Sequence, residues 1–245
     1  MTLSALGCHP LTAITALTVQ DTVGIGRVLP VDAKTLSEQA LTVLEDIPVA
    51  AFKIGLLGSI ENIRAIAEVL TAHPGIPVVL DPVLASGRGD EVANQSMVEA
   101  IRTQLLPLTT VVTPNSIEAR RLAAKEPEET SGLALNECAR RLVEFGSQYA
   151  LITGTHEDTL QVNNDLHGRN GLIRSDTWPR LPGSYHGSGC TLASAIAAKI
   201  AHGLAIETAV REAQEYTWQT LANGFCPGKG QFIPDRYYGI RQNKE

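Results

Sequence analysis

The sequence predicts an α/β protein: a mainly parallel sheet with helices on both faces and a small antiparallel extension. Short, β-rich apolar runs alternate with longer helical stretches. Strand followed by helix, repeated, is the pattern of a parallel sheet with crossover helices. Several runs are nearly continuous apolar segments, as strands covered on both faces require. Residues 161–178 are different. They are polar and rich in Gly and Asn, and Gly168-Arg169-Asn170-Gly171 reads as a hairpin turn. An antiparallel pair therefore flanks the parallel part.

In chain order, residues 2–6 read as the last turns of a helix. Gly7 suits the left-handed position that stops it, and Pro10 follows. Strands are expected at 12–18, 49–54, 78–80, 110–112 and 150–153. Helices are expected at 32–44, 59–72, 94–106, 116–124, 136–145, 189–202 and 206–222. Ile60, Ile63, Ile66, Ala67 and Leu70 trace one stripe at helical spacing. The polar linker 125–132 interrupts one continuing strand–helix rhythm, so residues 1–245 are expected to form a single domain.

The length of 245 residues allows a sizeable core without disulfides or structural metal. Twenty Lys and Arg against 26 Asp and Glu give a net charge of −6, which argues against nucleic acid as the main partner. An apolar share of 44% with 19% charged residues argues against disorder. Aromatics are too sparse, at 4%, for a lectin-like or antibody-like surface. Cys8, Cys138, Cys190 and Cys226 are widely spaced and read as free thiols in a reducing compartment. The histidines show no metal-ligand spacing, and His202 reads as a partner of a helix C-terminus. No apolar run reaches the roughly 18 residues of a membrane span. No signal peptide is visible after Met1. A cytoplasmic enzyme with no membrane partner is expected.

Three motifs carry chemistry. His186-Gly187-Ser188-Gly189-Cys190-Thr191 runs straight into a small-residue helix. The amides of Gly187, Ser188 and Gly189 and the helix dipole would form an anion site; a plain loop with an N-cap is the alternative. Cys190 stands in the first helical turn, where the dipole lowers a thiol pKa and favours thiolate. A buried small hydrophobe is the commoner fate of such a residue. Thr113-Pro114-Asn115-Ser116-Ile117-Glu118 is the second motif. Asn115 and Glu118 have the spacing of a capping box and equally of a carboxylate that holds Mg²⁺ through water; both readings stay open. Third, Asp81 lies at a strand's C-terminal end, where open α/β sheets bind ligands, though Asp-Pro also starts turns. The glycine-rich loop 86–90 could move over a ligand. Gly24-Ile25-Gly26 lacks a third glycine, Gly228-Lys229-Gly230 lacks the Walker spacing, and Ser188 is in no G-x-S-x-G.

Together and in this order, the motifs resemble the ribokinase-like superfamily, and within it the hydroxymethylpyrimidine and phosphomethylpyrimidine kinases of thiamine biosynthesis. The similarity runs from about Leu3 to Ala201. It includes residues 3–7, 14–20, Lys53-Ile54-Gly55-Leu56-Leu57, Asp81-Pro82-Val83, Thr113-Pro114-Asn115 with Glu118, and residues 186–191. Cys190 is discriminating, because many superfamily members carry Asp there as base.

The resemblance implies a ribokinase-like three-layer α/β/α sandwich, a homodimer, and ATP-dependent phosphorylation of a pyrimidine alcohol and then of its monophosphate. Gln20, Leu56 and Val83 would bind the pyrimidine. Gly187, Ser188 and Gly189 would supply the anion hole, with Cys190 at the base position as base or anchor. Asn115, Thr153, Gly154 and Arg88 would serve the nucleotide, and Asp81 and Glu118 would support Mg²⁺. The tail 224–234 would form a loop over the nucleotide.

The family opens with a strand and a Gly-rich substrate turn, whereas Met1 here falls inside the helix that follows. Loss of that central strand is expected to open the sheet. The family's lysine after Asp81 is replaced near Gly87, with Arg88 as a substitute clamp, and Thr153 stands where the family has a second lysine. The alternatives are a pyridoxal-type kinase, a catalytically impaired pyrimidine binder, and a cysteine-nucleophile enzyme with His186 as base.

Overall fold

The computed structural model describes residues 1–85, 89, 91–130 and 132–239. Helix α1 (Thr2–Ala5) ends as expected, with Gly7 at φ +81°. Gly7 N–H donates to Ser4 O at 3.1 Å and Cys8 N–H to Leu3 O at 2.9 Å, the paired bonds of a Schellman stop. His202 Nε2 lies 2.8 Å from Leu6 O, so the histidine meets the carbonyl end of α1 as well as capping its own helix.

Strands β1 (Ala16–Gln20) and β2 (Ile25–Pro30) form an antiparallel ribbon of their own. This corrects two expectations. The apolar run at 12–18 does not enter the main sheet, and β2 was not anticipated. Leu17 and Val19 are 60% and 54% exposed, so the ribbon lacks the two-sided cover that their apolar character suggested.

Helix α2 (Ala33–Asp46) is capped by Asp32, which accepts from Thr35 N–H at 3.0 Å. Then follow β3 (Phe52–Ile54), α3 (Ile60–Ala72), β4 (Val78–Leu80), α4 (Gln95–Ala100), β5 (Val111–Val112), α5 (Ser116–Ala123), α6 (Leu135–Glu144) and β6 (Tyr149–Thr153). The last elements are β7 (Gln161–Gly168), β8 (Gly171–Pro179), α7 (Ser188–Ala201) and α8 (Ile206–Ala222). The main sheet runs β3-β4-β5-β6-β7-β8, parallel through β6 and antiparallel thereafter. Among the described residues, β3 is the end strand.

The expected helix 94–106 is interrupted. After α4 the chain widens into a π-turn at Ile101–Leu105 and tightens into a 3₁₀ turn at Leu106–Leu108, which contains Pro107. The wide turn presents Arg102 to the end of α5, where it donates to Leu122 O at 3.1 Å and Ala124 O at 2.6 Å.

Strand alternation divides the core in two. Leu80, Val112, Ala150 and Ile152 face α3, α4, α5 and α6 through residues such as Ile63, Met97, Leu122 and Leu142. Val79, Val111 and Leu151 face α7 and α8 through Leu192, Ile196 and Val210. The register Val79↔Val111 and Leu80↔Val112 keeps each set on one face. The result is the expected three layers, and the C-terminal ends of four parallel strands are left free to build a site.

Candidate active site

The chain segments leaving β3, β4, β5 and β6 open together on one cleft of about 1570 Å³, closed on one side by the start of α7. The volume includes a groove that continues along the edge of β3, past Leu36, Val43, Val69 and Ala198. Asp81, the first residue after β4, is buried at 4% exposure. Its Oδ2 accepts from Lys53 Nζ at 3.2 Å. A Cβ built on Gly189 would stand 3.6 Å from its Oδ1. The carboxylate therefore lies between a lysine of β3 and the turn that starts α7.

This placement overturns one expectation. Cys190 does sit in the first turn of α7, on the cleft, but it is no thiolate. Cys190 is open to the cleft by surface area, yet the negative Asp81 beside it, more than partial loss of water around the sulfur, pushes its thiol up to about 12, despite the opposing Lys53. The helix dipole is a partial charge, and a full carboxylate charge at contact outweighs it. A thiol so raised is mostly protonated at neutral pH, which disfavours a nucleophilic role for Cys190. Burial of Lys53 by itself would lower its pKa; the Asp81 charge prevails and holds the ammonium above its usual range.

Asn115 and Glu118 form the capping box. Asn115 Oδ1 accepts from Ile117 and Glu118 N–H, each at 3.0 Å, and Glu118 Oε2 accepts from Asn115 N–H at 3.0 Å. Glu118 Oε1 also accepts from Leu84 N–H at 3.3 Å, which ties α5 to the loop after β4. Burial first, and Asp81 second, raise the Glu118 carboxyl to about 8. A carboxyl so held is neutral at pH 7 until a cation offsets the nearby charge.

Gly187, the residue before α7, takes φ +82°, a conformation that disfavours side chains. Its carbonyl accepts from Thr191 N–H at 3.0 Å, and Arg236 Nε donates to Thr191 Oγ1 at 3.1 Å. A strap from the tail fixes the approach to the turn. His186 N–H donates to Phe232 O at 2.9 Å, and Gln231 N–H donates to Thr22 O at 2.8 Å. The tail is thus tied to the α7 turn and to the β1–β2 ribbon.

On the β6 side, Asn115 and Thr153 form an isolated parallel bridge. Gly154 N–H reaches Asn163 O at 3.0 Å and Asn164 Oδ1 at 3.2 Å. The turn beyond is pinned by Arg120, whose Nη1 and Nη2 donate to Glu157 Oε1 and Oε2 at 2.7 and 2.9 Å. The Arg120 guanidinium holds the Glu157 carboxyl down to about 2. The folded-state pKa is depressed, so the pair stabilises above the unfolded value near 4.5 and is lost as pH falls towards 2. Both side chains are partly solvated, which limits the contribution to about 1 kcal/mol. Glu157→Gln is expected to flatten the fall in unfolding free energy over that window by about this amount. Urea titrations at stepped pH check it, and an unchanged slope refutes it.

The cleft brings together Gln20, Leu56, Val83, Asp81, Asn115, Glu118, Thr153 and the 187–190 turn. Gly154 is one residue behind its wall. Arg88 and most of the 86–90 loop lie outside the described residues. Two cations beside Asp81 and the α7 turn were missed as site residues. Lys53 was visible as a charge inside a strand expected to be covered on both faces. Arg236 carried no sequence signal, because only the tertiary return of the tail brings it to the turn. Its Nη2 would be 2.9 Å from a Cβ on Gly187.

The family described as phosphomethylpyrimidine kinase matches residues 1–235. A hydroxymethylpyrimidine/phosphomethylpyrimidine kinase of Streptomyces coelicolor is 36% identical over 94% of this chain and 84% of its own. Among solved structures, a pyridoxal kinase of Staphylococcus aureus in complex with ADP superposes with a TM-score of 0.84 at 29% identity, covering 98% of this chain and 87% of that one. A phosphomethylpyrimidine kinase of Clostridium difficile gives a TM-score of 0.74 at 29% identity, with 90% of each chain covered. The fold is the ribokinase-like sandwich of these kinases.

Proposed function

The chain belongs to the phosphomethylpyrimidine kinase family, and we propose that it transfers the γ-phosphoryl group of ATP to 4-amino-5-hydroxymethyl-2-methylpyrimidine and then to its monophosphate, in thiamine biosynthesis. One observation supports this most directly. Asp81, Cys190 and the Gly187–Gly189 turn converge at the C-terminal end of a parallel sheet, on one open cleft.

Phosphoryl transfer needs alignment and charge neutralisation more than covalent help. The amides of Gly187, Ser188 and Gly189 and the α7 dipole face the transferred group. Gln20, Leu56 and Val83 line the part of the cleft that would take the pyrimidine. Cys190, being a neutral thiol hydrogen-bonded to Asp81, anchors the acceptor oxygen rather than acting as a resident base. For the alcohol, the acceptor proton passes late to the Asp81 carboxylate. For the monophosphate, an acceptor oxygen is already ionised and no base is needed. A neutral anchor thus suits both acceptors.

Mg²⁺ fits the donors present. Asp81 and Glu118 are hard oxygen ligands, and Asp81 raises the Glu118 carboxyl, a repulsion that a divalent cation relieves. Glu118 would act through water, since both its oxygens accept backbone N–H groups. Phosphate oxygens and water would complete the ion's coordination. When bound, Mg²⁺ would neutralise phosphate charge. Asn115, Thr153 and Gly154 border the nucleotide's side of the cleft. The reading carries with it a cytoplasmic homodimer; among the described residues no helix is long and apolar enough to cross a membrane.

A pyridoxal kinase is the second reading, favoured by the TM-score of 0.84 to one. ADP release with ATP, Mg²⁺ and either hydroxymethylpyrimidine or pyridoxal separates the two. Turnover of the pyrimidine is expected to be at least tenfold the faster. Preference for pyridoxal defeats the substrate assignment, and no turnover of either defeats the kinase.

A further inference from the structure

We propose that Lys53 is a catalytic residue, placing its ammonium on the phosphoryl group as that group passes from nucleotide to acceptor. This rests on the phosphotransfer reading. The inference starts from where the sheet puts the side chain. Lys53 is the middle residue of β3 and pairs with Val79 of β4. Its side chain is 17% exposed and lines the cleft. The stem folds back over the strand end, so that a Cβ on Gly55 would fall 2.5 Å from Nζ. A lysine held this closely gives up about 2 kcal/mol of rotamer freedom, which a surface counter-ion does not need to do.

The partners of Nζ define its task. It has three donors, and the hydrogen bond to Asp81 Oδ2 uses one. Asp81 Oδ1 faces Gly189. The carboxylate therefore bridges the lysine and the anion turn, and this is the same span that a pair of phosphoryl oxygens would bridge. Cys190, placed here as the acceptor's anchor, is electrostatically coupled to both Lys53 and Asp81. A donor set of turn amides alone would leave the group in flight close to the Asp81 and Glu118 carboxyls. The lysine supplies the positive charge on that side. The other cleft-side cation near these acids, Arg121, is turned away, with Nη2 at 2.6 Å from Ala93 O and 2.7 Å from Glu91 Oε1.

The chemistry balances without a further reactant. The bond between the β–γ bridging oxygen and the γ-phosphorus breaks, and its electron pair leaves on ADP. The acceptor oxygen bonds to the same phosphorus, and the proton of an alcohol acceptor passes to the Asp81 carboxylate. Lys53 keeps its proton throughout. A cation on equatorial phosphoryl oxygens contributes more to the loose transition state than to bound nucleotide.

The test compares wild type, Lys53→Gln and Lys53→Arg. Glutamine keeps a donor towards Asp81 and removes only the charge. Two quantities are read: steady-state kcat and KM for ATP and pyrimidine, and calorimetric affinity for ADP alone against ADP with aluminium fluoride. For Lys53→Gln we expect kcat to fall by about 10²–10³ with both KM values within threefold, as for loss of one transition-state donor. Affinity for the fluoride complex should drop at least tenfold while that for ADP holds. Lys53→Arg should recover at least tenfold in kcat. Equal losses for ADP and for the fluoride complex, or kcat within threefold of wild type, overturn the proposal. Should Lys53→Gln not fold, Lys53→Met, which keeps an unbranched apolar stem and lacks the charge, is judged by the same affinity ratio. A wild type without turnover or fluoride-complex affinity removes the phosphotransfer reading itself. An active wild type with indifferent variants removes only the role of Lys53.

Discussion

Asp81→Asn is expected to lower kcat by about 10³ and, at the same time, to make Cys190 more reactive towards iodoacetamide. The two effects have one source. The Asp81 charge is the largest of the influences that hold the Cys190 thiol up at about 12, loss of water being the second, with the Asp81 hydrogen bond and the Glu118 charge adding to them. At pH 8 a thiol of that pKa is thiolate in only about one molecule in 10⁴. Removing the carboxylate charge lowers the pKa, because the charged form of a thiol is negative and no longer repelled. The Lys53 ammonium, released from its ion pair, acts in the same direction. A fall of about one to two units raises the thiolate fraction, and the alkylation rate, about 10- to 100-fold. Peptide mass spectrometry of timed alkylation reads each cysteine separately. Cys226, exposed and remote from Asp81, serves as the internal standard. Should wild-type Cys190 already react as fast as Cys226, or should Asp81→Asn leave its rate unchanged, the coupling between them is wrong. An enzyme that loses turnover while its cysteine gains nucleophilicity would also show that thiolate is not what the reaction needs.

The local parts of this site were legible in the sequence, and the through-space parts were not. The capping box of Asn115 and Glu118 depends on a three-residue spacing that any helix start realises. The hairpin closed by Gly168 and Gly171 and the start of α7 at Ser188 are set by glycines whose freedom is a property of the residue itself. Cys190 is the counterexample. Its position in the first helical turn was readable, but its protonation state depends on Asp81, which only the packing of α7 against β4 brings near. Lys53 and Asp81 meet for a similar reason: the parallel register of Lys53 with Val79 leaves Asp81 just past the strand end. The run at 12–18 failed in a different way. Apolar continuity reports that a strand is fit for burial, not which neighbours it finds, and β1 pairs with β2 in a ribbon whose Leu17 stays mostly exposed.

A large structural penalty is expected at Gly154. An alanine Cβ there would stand 2.4 Å from the carbonyl oxygen of Asn163, well inside contact distance, and the obstacle is backbone of the adjoining strand rather than a movable side chain. Relief requires β6 and β7 to part at their turn. That strains the Gly154 N–H bonds to Asn163 O and Asn164 Oδ1. Asn164 is in turn the first member of a buried chain: its Nδ2 donates to Gln214 Oε1 at 2.9 Å, Trp178 Nε1 donates to the same oxygen at 3.0 Å, and Gln214 Nε2 donates to Asp176 Oδ2 at 2.9 Å. A displaced Asn164 leaves buried donors short of acceptors, at about 1–3 kcal/mol for each. Gly154→Ala should therefore cost about 2–4 kcal/mol, or roughly 5–15 °C in Tm for a chain of this size. ADP affinity should fall at least tenfold with it, because the displaced turn is part of the proposed nucleotide wall. Gly171→Ala is the matched control. Unlike Gly154, it carries the strain of a positive φ, at +100°, but its Cβ meets nothing within 4 Å and it lies at the far end of the hairpin. That variant should lose about 1 kcal/mol and bind ADP normally. If Gly154→Ala melts no lower than Gly171→Ala and the two bind ADP alike, the tight approach of Asn163 has no part in shaping the site.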